Sequence, residues 1–171
     1  MTPFKNQIPS KLSRDQFINV FGGVYEHSSW IVELAWDGGL DLRHNSVEGL
    51  HVALKEIVDG AGHEPQLTLL RAHPDLAGKL AISGKLTEES MGEQAQARLD
   101  KCSPKEFEMF QKNNARYKKK FGFPYILAVK DRNRTQILKN FSQRIDLNVD
   151  EEFQEALSQV HQISLLRLSA I

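Results

Sequence analysis

The chain lacks the means to crosslink itself: Cys102 is its one cysteine, so no internal disulfide forms and the fold rests on packing and hydrogen bonds. That usage fits a reducing compartment. No run of about 18 apolar residues occurs, which excludes a membrane-spanning helix and leaves no membrane partner to expect. Met1 to Gln7 has no apolar signal core. Ser169-Ala170-Ile171 is not a Ser-Lys-Leu peroxisomal address, so a cytoplasmic protein is expected. An excess of either charge is missing too. Lys and Arg number 22, as do Asp and Glu. Without a basic field, nucleic acid is not an expected partner. Internal repeats, low-complexity tracts and linkers are also absent.

What is present reads as helix. The 171 residues, 40% hydrophobic and 26% charged, are enough for one domain with its own core. Ser13-Arg14-Asp15-Gln16 is a capping box ahead of Phe17, Val20, Phe21 and Val24. Ile31, Val32, Leu34 and Ala35 form a short apolar segment before a turn at Asp37-Gly38-Gly39. Ser46 opens a stripe of Val47, Leu50, Leu54, Ile57 and Val58 that stops at Gly60-Ala61-Gly62. Leu67 to Leu70 fits helix or strand equally. Thr87 caps a helix with Glu88 and Glu89 in its first turn. Ser103-Pro104-Lys105-Glu106 combines cap, proline and returning glutamate, with Phe107, Phe110, Asn114 and Tyr117 on one face. Gly122 and Pro124 end that helix, and residues 125–129 are expected as extended loop, a lone strand having no partner. Further helices are expected over residues 134–145 and from about Asp150 onward. The expected fold is all-α: a compact single-domain bundle of about seven to eight helices spanning residues 1–171.

Four features exceed what packing requires. The first is Arg71-Ala72-His73-Pro74-Asp75-Leu76-Ala77-Gly78-Lys79. Pro74 fixes its own φ and biases His73 towards extended backbone, so an imidazole is presented from a stiff turn. A buried histidine hydrogen-bonded near a turn is the plainer alternative, and Asp75 and Gly78 have ordinary uses as cap and turn residue. The second is Ser90, Glu93 and Gln94, polar at i, i+3 and i+4 and continued by Ala97; Met91, Ala95 and Leu99 lie on another face. This is either a solvated face or one that meets an anionic group near a helix N-terminus. The third is Arg167, four residues after Ile163 and beside an apolar stripe, where an arginine either snorkels outward or enters a pocket to bind an acid. The fourth is Phe121 to Ile126, where Gly122 permits close backbone approach and aromatic rings either wall a flat ligand or anchor the core. His63, which falls in a glycine-rich turn, His73 and Asp75 do not match a zinc or iron spacing, so no metal is expected. Lys118 to Lys120 and Arg132 to Arg134 are expected to be solvated.

Taken together these motifs resemble the OHCU decarboxylase family, enzymes acting on 2-oxo-4-hydroxy-4-carboxy-5-ureidoimidazoline (OHCU) in urate degradation. The resemblance is carried by His73 to Lys79, Ser90-Met91-Gly92-Glu93-Gln94, Asn114 with Tyr117, and Phe121 to Ile126. Phe21-Gly22-Gly23-Val24-Tyr25-Glu26-His27-Ser28-Ser29-Trp30 also looks like the family's N-terminal segment. It implies an all-helical, cofactor-free homodimer that converts OHCU to (S)-allantoin and carbon dioxide. It further implies His73 as catalytic acid/base, Glu93 as the second catalytic residue that orients it, and Pro74, Ser90, Gln94, Lys120, Phe121, Gly122, Phe123, Pro124, Tyr125, Ile126 and Arg167 as substrate-binding. Two departures stand out. Lys120 replaces an arginine common before Phe-Gly-Phe-Pro and loses its bidentate fork. Arg98 stands where the family often has glycine, which is expected to lengthen the Glu93 helix. The alternatives are a decarboxylase of a related ureido or imidazoline acid, and a non-catalytic helical binding module.

Overall fold

Where the sequence places caps, helices begin. The computed structural model describes residues 1–78 and 86–171, without the side chain of Asp100; Lys79, the end of the first motif, lies outside them. Eight α-helices run through the described residues: α1 (Arg14–Phe21), α2 (Trp30–Asp37), α3 (Val47–Gly60), α4 (His63–Arg71), α5 (Glu88–Gln96), α6 (Pro104–Phe121), α7 (Arg134–Ile145) and α8 (Val149–Ala170). Short 3-10 turns sit at Pro9–Lys11, Leu42–Asn45 and Leu99–Lys101. Among the described residues the sole β pairing is one isolated bridge, Pro3 to Ser46. The protein is all-α, as its periodicity indicates. No helix among the described residues is long and apolar enough to cross a membrane.

Ser13 and Ser103 each close a reciprocal capping box with Gln16 and Glu106, satisfying two otherwise orphan amides at each helix start. Ser46 accepts from the Gly49 amide and Thr87 from the Ser90 amide. The ambiguous leucine run is helix: it lies in α4, with Leu69 and Leu70 buried. His63 is the first residue of that helix rather than part of a turn, because Gly62, at φ 84°, turns the chain immediately before it. The Arg98 expectation fails. Helix α5 ends at Gln96, and Arg98 takes left-handed backbone at φ 54°, ψ 33°, a conformation glycine adopts without the Cβ clash. The substitution therefore leaves the helix stop in place with a residue less suited to it.

The chain divides into two compact units. One comprises residues 1–72 and 160–171. Its core holds Phe4 and Phe17 against Phe21, at ring separations of 5.2 and 4.9 Å, with Leu50, Leu54 and Val58 from the α3 stripe. The other comprises residues 73–159 and is built on aromatic rings. Tyr117 of α6 meets Phe121, Phe123, Tyr125 and Phe141, and Tyr125 stacks on Phe141 at 3.8 Å. Buried among these rings, Glu152 accepts from Tyr117 and from Arg144. Burial and then the neighbouring Glu152 carboxylate push the Tyr117 phenol far up, so it stays neutral and donates. Burial pulls the Arg144 guanidinium down, but its bonds to Glu152 more than offset that.

Candidate active site

Residues 73–78 form a turn whose backbone is held by side chains. The turn has no helix ladder, and three buried or half-buried amide side chains bond to its backbone instead. Gln94 of α5 accepts from the Ala77 N–H at 3.1 Å and donates to the Asp75 carbonyl at 3.4 Å. From α6, Gln111 donates to the Ala77 carbonyl at 2.8 Å and Asn114 to the Leu76 carbonyl at 3.0 Å. The Asp75 carboxylate holds the Lys118 ammonium at 2.7 Å. Ala77 sits at φ 49°, and a Cβ on Gly78 would come within 2.9 Å of the Asp75 Cβ. Four backbone groups in three consecutive residues are thus fixed from two helices, and His73 leads into this turn, buried at 8% exposure.

The polar face of α5 is its buried face. Ser90 and Gln94 are each 4% exposed, Glu93 is half-buried and Ala97 buried, whereas Met91 and Ala95 lie outside. This inverts the usual arrangement of an amphipathic helix, and burying polar atoms costs free energy unless they are bonded. Gln94 meets that demand through the His73 turn, so the α5 face and the turn belong to one constellation.

The stretch after α6 starts at Gly122, whose φ of 79° ends the helix. Residues 123–129 are extended and buried without a strand partner among the described residues, and side chains bond to their backbone. Arg144 donates to the Ile126 carbonyl, the Gln159 side-chain oxygen accepts from the Ala128 N–H at 3.0 Å, and Arg132 donates to the Ala128 carbonyl at 3.2 Å. Tyr125 donates to Asn140 at 2.6 Å. Phe121, Phe123, Pro124, Tyr125 and Ile126 are all buried. Helix α6 is the shared spine: Gln111, Asn114 and Lys118 hold the His73 turn, while Tyr117 and Phe121 pack with the aromatic loop.

Lys120 reaches the other way. Its ammonium donates to the carbonyls of Ile145 and Leu147 at 2.6 and 2.7 Å, where it complements the C-terminal end of α7, and it lies 4.9 Å from the Phe121 ring centre. Lys118 and Lys120 are thus engaged rather than simply solvated. Pro74 is half-buried. Among the described residues no three His, Cys, Asp or Glu side chains converge as a metal requires.

Arg167, in the other unit, is buried at 8% exposure rather than snorkelling. It donates to the Gly23 carbonyl at 3.0 Å and to Glu26 at 2.9 Å. The acid is Glu26, itself 2% exposed, which the sequence pattern alone does not single out because residues 22–28 have no helical period. An acid between Tyr25 and His27, in a segment already matched as a motif, was the available signal.

A family model described as OHCU decarboxylase matches residues 10–169. The chain belongs to the OHCU decarboxylase family. Among its curated relatives, the 2-oxo-4-hydroxy-4-carboxy-5-ureidoimidazoline decarboxylase of Haloferax volcanii is 41% identical over 160 residues, 94% of this chain and 91% of the relative. The Bacillus subtilis uric acid degradation bifunctional protein PucL is 34% identical over 95% of this chain but only 31% of its own length. A crystal structure of (S)-allantoin synthase matches with a TM-score of 0.73 and 27% identity over 95% of this chain; the chain spans about half (52%) of that structure's chain. A second, OHCU decarboxylase in the presence of (S)-allantoin, shares the fold at a TM-score of 0.66 and 19% identity, covering 91% of this chain and 96% of the other.

Proposed function

We propose that this chain decarboxylates OHCU to (S)-allantoin and carbon dioxide in urate degradation, as a carbon-carbon lyase, with residues 1–171 acting as one catalytic domain. The observation that carries the reading is the buried His73 on a turn clamped by Gln94, Gln111 and Asn114, in a chain of this family. Enzymes hold proton-transferring groups on backbone that cannot drift, since small misplacements cost large factors in rate.

The chemistry needs little else. Breaking the bond to the substrate carboxylate releases carbon dioxide, and its electron pair passes into the adjacent ring C=N, so the substrate supplies its own electron sink. The ring nitrogen takes up a proton; a second goes to the ring carbon bearing the ureido group as the neighbouring hydroxyl gives up its own and becomes a carbonyl. Delivery to one face gives a single enantiomer. His73 is the general acid/base for that transfer and Glu93 orients its imidazole. Ser90, Gln94, Pro74 and the backbone of residues 121–126 shape the substrate's setting, and Arg167 binds a substrate oxygen through its planar fork. Lys120 supports the loop by capping α7 more directly than it binds substrate. No cofactor takes part. A homodimer in the cytoplasm is the state that the family resemblance and the sequence support.

The test is direct. OHCU generated in situ from urate is mixed with this protein, and circular dichroism follows (S)-allantoin. Formation faster than spontaneous decay is expected; formation at the spontaneous rate would reject the reading.

A further inference from the structure

We infer that Glu26 is a positioning residue for Arg167, setting which edge of the guanidinium the substrate meets. The inference rests on the assignment of Arg167 to substrate binding. Its geometric basis lies wholly within the unit of residues 1–72 and 160–171.

Two different nitrogens of Arg167 are tied to two different groups of one short segment: Nη1 to the Gly23 carbonyl at 3.0 Å and Nη2 to Glu26 Oε2 at 2.9 Å. One such bond leaves a guanidinium free to pivot; two to fixed points set both its plane and its rotation. The segment is itself anchored. The Tyr25 hydroxyl bonds His161 Nδ1 at 2.9 Å, on the same helix as Arg167, and the Ser28 hydroxyl donates to the Glu26 carbonyl at 2.9 Å. Val24, Tyr25, Glu26 and Ser28 are all buried at 4% exposure or less. Glu26 Oε1 also lies 3.9 Å from the exposed His27 imidazole.

A carboxylate in this position does more than fill space. A buried arginine without a counter-charge is strongly disfavoured, so Glu26 keeps the cation in place before any substrate arrives. An amide of the same shape would keep one hydrogen bond but not the charge. Glu26 therefore acts on the reaction only through Arg167, and its removal costs nothing further once Arg167 is gone.

The experiment uses the full chain and the circular dichroism assay. R167A is expected to lose activity and to recover part of it when guanidinium or methylguanidinium is added, because Glu26 and the Gly23 carbonyl remain to seat the free cation. E26Q is expected to lower kcat/KM by about tenfold, and E26Q/R167A to be no slower than R167A yet to show no rescue by guanidinium. The double variant lacks both buried charges, which relieves the cost of burying either alone, so it reports even where E26Q by itself folds poorly. Rescue of E26Q/R167A equal to that of R167A, or full activity in E26Q, would overturn the role of Glu26. Full activity in R167A would instead remove Arg167 from substrate binding.

Discussion

His73 and His161 are almost equally buried, at 8% and 6% exposure, yet they sit on different kinds of backbone. His161 is held through its ring. Nδ1 meets the Tyr25 hydroxyl at 2.9 Å and Nε2 meets Asp59 at 3.1 Å, so both nitrogens have partners within the fold and the imidazole sits on a regular helix. Burial pulls its pKa below the ordinary histidine value, with Asp59 pulling back. His73 instead leads into a non-helical turn whose following residues are held by amide side chains from α5 and α6. A histidine on a regular helix, with Tyr25 and Asp59 at its ring, serves the fold, whereas the histidine on the clamped, non-helical turn is the one we propose to exchange a proton with a substrate.

The largest effect is expected at His73. Replacing it in H73Q is expected to cut turnover by about 10²-fold or more, the usual worth of a general acid/base, while the thermal midpoint stays close to that of the parent. Near-normal turnover in H73Q would take His73 out of the mechanism. The clamp comes next. Q94L removes both bonds that Gln94 makes to the turn and should cost about tenfold in turnover through misplacement of His73. An unchanged rate would mean that Gln111 and Asn114 suffice.

His161 should behave in the reverse manner. H161L strands the buried Tyr25 hydroxyl, costing about 1–3 kcal/mol of stability by urea titration, with turnover of the folded fraction falling far less than in H73Q. A loss of turnover without loss of stability would give His161 a catalytic part and erase the contrast. The smallest effect is on pH. His161 and the half-buried His51 both have pKa values lowered from 6.5, chiefly by burial. A histidine kept neutral in the folded state binds its proton more readily when unfolded. Stability is therefore full above pH 6.5 and falls as pH drops below it, towards the folded-state values. Urea midpoints across pH 7.5 to about 5.5 should show this decline in the parent chain, and a shallower one in H161L.

Local chemistry made much of the fold readable. Ser13, Ser46, Thr87 and Ser103 start helices because a side-chain oxygen there satisfies amides that the helix cannot, and that needs only a few neighbouring residues. The loop of residues 125–129 is readable for a related reason: Gly122 and Pro124 forbid helix, and a lone strand has no ladder. The α5 face was half-legible. Spacing puts Ser90, Glu93 and Gln94 together, but a solvated and a buried polar face look alike in sequence. What decides is Gln94's hold on a turn 17 residues away. Arg167 shows in its place beside the apolar stripe, but its pairing with Glu26, 141 residues away, leaves no periodic trace, and neither does the division into two units. Arg98 misled because propensity favours helix there, while the backbone keeps a left-handed stop that an arginine occupies at some strain.

The central claim is that His73, on its clamped turn, delivers the proton that makes (S)-allantoin. It is tested most directly by running the parent chain and H73Q side by side on OHCU generated in situ, with circular dichroism as the readout. The parent is expected to build the (S)-allantoin signal well above the spontaneous rate, and H73Q, folded to the same extent, to fall close to that rate. Equal signals from the two proteins would contradict the account.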